Sequence, residues 1–341
     1  MVTAEEGAAK RPTLYDVARV VGVSHQTVSR VVKGHTNVRP EVRAKIEAAI
    51  EELGYRPNLM ARSLATSRPH RIGALVYELL AAGPSKIMEG ASIRAREAGY
   101  LLDIVSLDPE DDGGIADAID LMSGSNLAGL LAFTPTDRVV NALRSASFSV
   151  PVSLESEDGD DLGNRVTMGD VGVDLMVAHL ADLGHRRFFH IGGPDGWLAA
   201  RGRANAYETA VAARGLQSIG MVAGDWSAQA GFDIAKSIPL DAGITAIVAA
   251  NDQSALGAIS ALEGRGVSVP GDVSVVGFDD IPESQFFRPP LTTVRFEFAQ
   301  QGRLAIDRLL ARIEGKTPEI VHTSPPMVVV RRSSGPPPPH V

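Results

Sequence analysis

Cysteine is absent from all 341 residues, which excludes disulfides, thiolate nucleophiles and cysteine-ligated metals and leaves any catalysis to Ser, His, Asp, Glu or Lys. No apolar run reaches the roughly 18 residues that a bilayer-spanning helix requires. The opening MVTAEEGAAKRP places Glu5 and Glu6 where a secretory leader would be basic and then apolar, so a cytoplasmic location is expected. What remains is a chain with 44% hydrophobic and 22% charged residues, an ordinary globular composition long enough for two or three domains.

Charge is unevenly spread. The net charge is -8, yet residues 10 to 71 hold twelve Lys or Arg against five Asp or Glu, so a basic head precedes an acidic body. Such an asymmetry arises when one end of a chain meets a polyanion, although a solvated basic surface would look the same.

Within the head, Thr13 and Asp16 have the spacing of a capping box, and Leu14, Val17, Ala18 and Val21 recur at helical spacing. Gly22 breaks the pattern, and Ser24 can cap a second helix with Val28, Val31 and Val32 on one face. Gln26, Ser29, Arg30 and Lys33 project from the opposite face. Glutamine can bond adenine and arginine guanine in the major groove, with His25 at the rim. A third helix runs from Pro40 through Val42, Ile46, Ala49, Ile50 and Leu53 to Gly54. The plainer alternative is a three-helix cap that merely packs.

After Arg71 short apolar runs alternate with helical stretches. Strands are predicted at Ile72 to Tyr77, Leu101 to Leu107, Leu127 to Phe133, Val150 to Leu154, Arg187 to Ile191, Ala246 to Ala250, Val273 to Phe278 and Met327 to Val330. Helices are predicted at about 85–98, 114–123, 170–183, 201–214, 253–265 and 297–314. This order implies two doubly wound α/β lobes with parallel sheets, whose ligand cleft lies at the carboxyl ends of the strands. Asn251 and Asp252 follow IVAA, Asp279 and Asp280 follow VVGF, and Arg201 and Arg203 follow GGPDGWLAA. Acids, amides and arginine beside Trp197 and Trp226 suit a sugar, which needs donors and acceptors for hydroxyls and a flat surface for its ring. Each has a plainer alternative: Asn251 and Asp280 as helix caps, Arg203 paired to an acid, the tryptophans filling lobe interfaces.

TLYDVARVVGVSHQTVSRVV, TNVRPEVRAKIEAAIEELGYRPN and LMARSLATSR resemble the headpiece and hinge of the LacI/GalR family of bacterial repressors. AGPSKI, AGDWSAQAGF, AANDQSALGAI, VSVVGFDD and PPLTT extend the resemblance along the body. It implies a flexible tail at 1–12, a helix-turn-helix headpiece at 13–57 and a hinge at 58–70. The body at 71–332 would have one lobe from about 71–166 plus 296–325 and the other from about 167–295 plus 326–332. It assigns DNA contact to Thr13, Ser24, His25, Gln26, Thr27, Ser29, Arg30, Asn58, Ala61 and Leu64, with Leu64 as a minor-groove wedge. It assigns the effector to Pro84, Ile87, Arg203, Trp226, Asn251, Asp279 and Phe298. At three cleft positions the chain departs from the pattern: Phe296 replaces a glutamine, Trp197 a serine, and the sugar-facing acid shifts to Glu155 or Ser156.

The implied partners are near-palindromic operator DNA, a saccharide such as a galactoside, and a second copy of the chain, with no membrane, cofactor or metal. SSGPPPPHV at 333–341 lacks apolar heptads, so a disordered tail and a dimer are expected. The competing readings are a cytoplasmic solute-binding protein and a sugar-processing enzyme using Asp279, Asp280 and His190.

Overall fold

The computed structural model describes residues 12–32, 37–55, 69–79, 81–156, 159–160, 168–319, 321 and 323–339. The chain divides into two units, Met1–Pro69 and His70–Val341. The first contains α1 (Leu14–Val21), α2 (His25–Val32) and α3 (Pro40–Leu53). Asp16 accepts hydrogen bonds from Thr13 N at 2.8 Å and Thr13 Oγ1 at 2.6 Å, fixing the start of α1. Gly22 ends it at φ 71°, in the left-handed region where a Cβ is unfavourable. Val17, Ala18, Val28, Val31, Ile46, Ala49 and Tyr55 close a small core.

The second unit runs β1 (Arg71–Val76), α4 (Ala82–Glu97), β2 (Leu101–Ser106), α5 (Asp112–Ser123), β3 (Gly129–Phe133), α6 (Asp137–Ser145), β4 (Val152–Ser156) and β5 (Gly159–Asp160). It continues with α7 (Met168–Asp182), β6 (Arg187–Ile191), α8 (Leu198–Ala213), β7 (Gln217–Val222), α9 (Ala228–Ser237), β8 (Ala246–Ala249) and α10 (Asp252–Gly264). The last elements are β9 (Ser274–Val276), β10 (Thr293–Arg295), α11 (Phe298–Ile313) and β11 (Met327–Val329).

One sheet has the order β2-β1-β3-β4-β5, parallel except for β5, and the other β7-β6-β8-β9, wholly parallel. Strand periodicity gives each sheet two apolar faces. In the first, Leu75, Leu130 and Ala132 pack toward residues of α5 and α6, while Ile72, Ala74, Val76 and Leu131 pack toward α4 and α11. In the second, Phe189, Ile191, Ile247 and Ala249 share a core with α9 and α10, and Phe188, Ala246 and Val248 share one with α7 and α8. Because α11 packs on the first sheet although it follows β9 in sequence, the lobes are interleaved along the chain. The antiparallel pair β10-β11 packs against α7 of the second lobe.

Two helix pairs approach at backbone distance. A Cβ on Gly90 would stand 1.9 Å from Ala299 O, and one on Gly302 1.9 Å from Ile87 O, which joins α4 to α11. A Cβ on Gly231 would meet Ser254 O at 2.2 Å, and one on Gly257 would meet Ala228 O at 1.8 Å, which joins α9 to α10.

Several expectations are corrected. The strand β7 and the helices α6 and α9 were not predicted. The C-terminal segment, expected to be disordered, is ordered through residue 339. Ser333 Oγ donates to Val275 O at 2.6 Å and accepts from Thr292 N at 2.8 Å, and the Gly335 carbonyl lies 2.8 Å from His185 Nε2. The segment thus follows the outer side of β9, and four prolines in a row are compatible with it because an extended strand-edge path needs few donors.

Candidate functional site

In the N-terminal unit, the first turn of α2 carries the candidate groove-reading residues. Ser24 caps it: Thr27 N donates to Ser24 Oγ at 3.2 Å, and the Ser24 and Thr27 hydroxyls are 2.9 Å apart. His25, Gln26 and Arg30 are exposed, Thr27 and Ser29 half-buried, and Val28 and Val31 lie beneath them in the core. Thr13 is held by Asp16 at the start of α1. Sequence reasoning missed Tyr15, 63% exposed, whose ring centroid lies 5.0 Å from that of His25. Its signal was an aromatic opposite the Leu14, Val17, Val21 stripe. Asn58, Ala61 and Leu64 lie outside the described residues.

In the body, the strand ends of both lobes border a cleft of about 630 Å³. Pro84, Ile87, Trp197, Arg203, Trp226, Asn251, Asp279 and Phe298, all expected there, line it. Its two walls differ. The first lobe contributes mainly apolar groups such as Leu79, Ala82, Pro84, Ile87 and Phe133, whereas the second contributes Arg203, Asp225, Asn251, Gln253 and Asp279 around Trp226.

Arg203, on the first turns of α8, donates to the Ala250 carbonyl at 2.6 Å, and its guanidinium lies 3.9 Å from the Phe278 ring centroid and 5.2 Å from that of Trp226. Hydrogen bonding plus cation–π contact holds this buried cation in one orientation. Asn251 caps α10 through Oδ1, which accepts from Ser254 N at 2.9 Å, and its Nδ2 donates to the Trp226 carbonyl at 2.8 Å. The helix-cap alternative is therefore realised, while one N–H and one lone pair of the amide remain for a ligand. Trp226 has φ 68°, and a Cβ on Gly193 would stand 2.4 Å from its ring, so the indole occupies space left by that glycine. Asp279 also has a left-handed φ, 107°, and its N–H donates to Val294 O at 3.0 Å, tying the end of the VVGF strand to β10.

Glu78 was not anticipated as a site residue, whereas Asp252 was expected beside Asn251 at the strand end and is not among the residues that line the cleft. Asp252 is fully buried, accepts from Ile281 N at 2.9 Å and Thr293 Oγ1 at 2.5 Å, and has its carboxyl pushed up to about 8, first by burial and then by the nearby charge of Asp279. Glu78 lines the cleft with its carboxyl raised by burial and by Asp225 opposite. Asp225 itself is held below the usual range by hydrogen bonds from Ser227.

Two residues assigned to the effector do not line this cleft. Glu155 does not line the cleft: its carboxylate is paired with Arg308 of α11 and accepts from Ser153 Oγ at 3.0 Å, since an arginine far along the chain captures it. Phe296 is buried between Phe278 and Phe298, at centroid distances of 4.5 and 5.5 Å, and serves as core where a polar side chain could have reached a ligand. The acid–base set of the enzymatic alternative is not assembled either. Asp280 is bound by Arg295 at 2.7 Å and Arg331 at 2.6 Å; burial raises its carboxyl, and the two arginines outweigh that and lower it. His190 is fully buried with Nδ1 at 2.8 Å from Val248 O and its ring stacked on Tyr207; burial holds it down to about 4, so it is neutral at pH 7.

A helix-turn-helix unit with exposed polar groups on its second helix, joined to a two-lobed body with a polar-walled cleft, defines a ligand-responsive DNA-binding regulator. The description "Bacterial regulatory proteins, lacI family" matches residues 13–58, and "Periplasmic binding protein-like domain" matches residues 177–334. The lactose operon repressor of Escherichia coli K12 is 35% identical over 90% of this chain and 86% of its own length, and the ribose operon repressor of the same strain 34% identical over 89% and 94%. A crystal structure of the Lac repressor dimer bound to operator and the anti-inducer ONPF superimposes with a TM-score of 0.83 at 33% identity, covering 96% of this chain and all of that one. A CelR–cellobiose complex gives 0.68 at 27% identity over 95% of this chain and all of that one. The chain belongs to the LacI family of bacterial regulatory proteins. No helix among the described residues is long and apolar enough to cross a membrane.

Proposed function

We propose that the protein is a saccharide-responsive transcriptional repressor that binds a near-palindromic operator as a cytoplasmic homodimer. Relatives that repress the lactose and ribose operons support this reading, and the observation that carries it is the convergence of Arg203, Asn251 and Asp279 on a cleft wall bearing the Trp226 indole. In this reading Arg203 donates to ring hydroxyls, Asp279 accepts from them, Asn251 does one of each, and Trp226 packs against the apolar ring face. Pro84, Ile87 and Phe298 supply the apolar wall. A ligand that fits the closed cleft better than the open one shifts the lobes, and with them the dimer's grip on DNA.

On the DNA side, Gln26 and Arg30 read base edges, His25, Ser29 and Thr27 contribute at the groove rim, and Ser24 and Thr13 orient the helix ends. Asn58, Ala61 and Leu64 form the hinge, with Leu64 wedging a minor-groove step. A galactoside is the first effector to try. Titrating saccharides into a protein–operator complex and following release tests the whole reading. Release by at least one sugar at a concentration that leaves non-specific binding unaffected supports it, and a complex that ignores every sugar while binding operator refutes the saccharide part. A protein that binds sugar without holding operator would instead be a solute-binding protein.

A further inference from the structure

The cleft wall carries more negative charge than sugar hydroxyls require. Among the described residues its lining holds three carboxyls, Glu78, Asp225 and Asp279, against one guanidinium, Arg203. Two of the carboxyls come from opposite lobes: Glu78 follows β1 in the first, and Asp225 precedes Trp226 in the second. Ser227 donates to Asp225 Oδ1 through its N–H at 2.9 Å and its hydroxyl at 2.5 Å, which keeps Asp225 ionised and leaves Oδ2 to a ligand. Glu78 is pushed up by burial and by the charge of Asp225, and no basic group among the described residues offsets either carboxyl. Cleft closure draws these like charges together, at a cost in free energy until a positive group stands between them.

The aromatic part of the wall is an independent sign. Tyr77 and Trp197 have ring centroids 5.3 Å apart and planes at 82°, and Trp197 and Trp226 are 6.3 Å apart at 69°. One flat face suits a sugar ring, whereas rings set steeply to one another make a corner, and aromatic faces at a corner attract a cation through their quadrupoles. Backbone contacts hold this corner: Leu198 N donates to Pro135 O at 2.8 Å, and residues 136 and 197 form an antiparallel bridge. Acids and rings adjoin along the chain as well as in the cleft, since Glu78 follows Tyr77 and Asp225 precedes Trp226.

We propose that the effector is a saccharide bearing a protonated amine, its ammonium group bound between Glu78 and Asp225 beside the rings of Tyr77, Trp197 and Trp226. The proposal rests on the saccharide reading above and adds a charge to the ligand. Hydroxyls can donate to the same carboxylates, but they bring no charge to offset the pair. An ammonium that bridges groups from both lobes stabilises the closed cleft over the open one, and that difference is what moves operator binding.

Calorimetry on the full chain at about pH 6, where an amine of the α-amino kind is protonated, tests this. The probes are glucosamine, galactosamine and mannosamine against glucose, galactose, mannose and the three N-acetyl derivatives. At least one amino sugar is expected to bind about tenfold or more tighter than both its hydroxyl parent and its N-acetyl form, about 1.4 kcal/mol, and to release operator at a correspondingly lower concentration. The variants Glu78→Gln and Asp225→Asn, which keep size and remove charge, should each bring that ratio close to one. Neutral sugars that bind while no amino sugar exceeds them overturn the ammonium site and leave the saccharide reading intact. A ratio unchanged in both variants, each melting like the parent, also overturns it. Failure of every one of these sugars to bind overturns both.

Discussion

The indole of Trp226 occupies the volume that any side chain at Gly193 would need, with an added Cβ only 2.4 Å from the ring. The substitution Gly193→Ala must therefore push the indole out of the cleft wall or strain a residue already at φ 68°. The expected result is a protein that folds and binds operator but has saccharide affinity reduced about tenfold or more, roughly 1.4 kcal/mol. Calorimetry beside a thermal melt checks it; undiminished affinity would show that Trp226 is not a ligand surface.

Arg203→Ala and Asp279→Asn should leave operator binding in place and abolish release by sugar. Each strands a buried hydroxyl or its partner, a penalty of about 1 to 3 kcal/mol and more for a charged group. Arg203→Ala should also lower the melting temperature, because the guanidinium bonds the Ala250 carbonyl and covers Phe278. Release of both variants at parental sugar concentrations would remove these residues from the site.

Arg30→Ala should cost about 1 to 3 kcal/mol on the operator and much less on random DNA, as expected for an exposed arginine that reads a base edge. Equal losses on the two DNAs, measured by fluorescence anisotropy, would assign it to phosphate contact.

Asp252 gives the fold a pH dependence of definite sign. An unfolded aspartate ionises near about 3.9, whereas the folded carboxyl does so at about 8. The folded state therefore holds the proton more tightly. The associated stability is fully present below about pH 4 and is lost as pH rises toward 8. The melting temperature should fall between pH 5 and pH 8, and Asp252→Asn, which cannot ionise, should flatten that slope. An equal slope in the variant would place the titration elsewhere.

Much of this organisation is legible in the sequence because the signals are local. The valine stripe of α2 and the Ser24 cap define the second helix without reference to anything distant, and Arg203, Trp226, Asn251 and Asp279 follow strand ends that any parallel sheet turns toward a cleft. Long-range partners are what local reading cannot supply. Glu155 has the right chemistry for a sugar acid, but Arg308, 153 residues away, takes its carboxylate. Phe296 is drawn into an aromatic row by Phe278 and Phe298. The Pro-rich tail looks unstructured until Val275 and Thr292 offer Ser333 its hydrogen bonds. The edge strand β7 was missed because Gln217, Ser218 and Gly220 dilute its apolar signal. The helix α6 had a readable start in the Thr136 cap and a readable face in Val139 and Leu143.

The four glycines that let α4 meet α11 and α9 meet α10 have a consequence for any survey of substitutions. Gly90, Gly302, Gly231 and Gly257 accept no side chain, because each Cβ would fall within 2.2 Å of a carbonyl oxygen. A library scored only for failure to respond to sugar would mark these positions as deeply as Arg203 or Trp226, and the footprint drawn from it would exceed the ligand's own. Scoring the same library for protein abundance would separate the groups: the glycine variants should vanish from the cell, and the cleft variants should persist at parental levels.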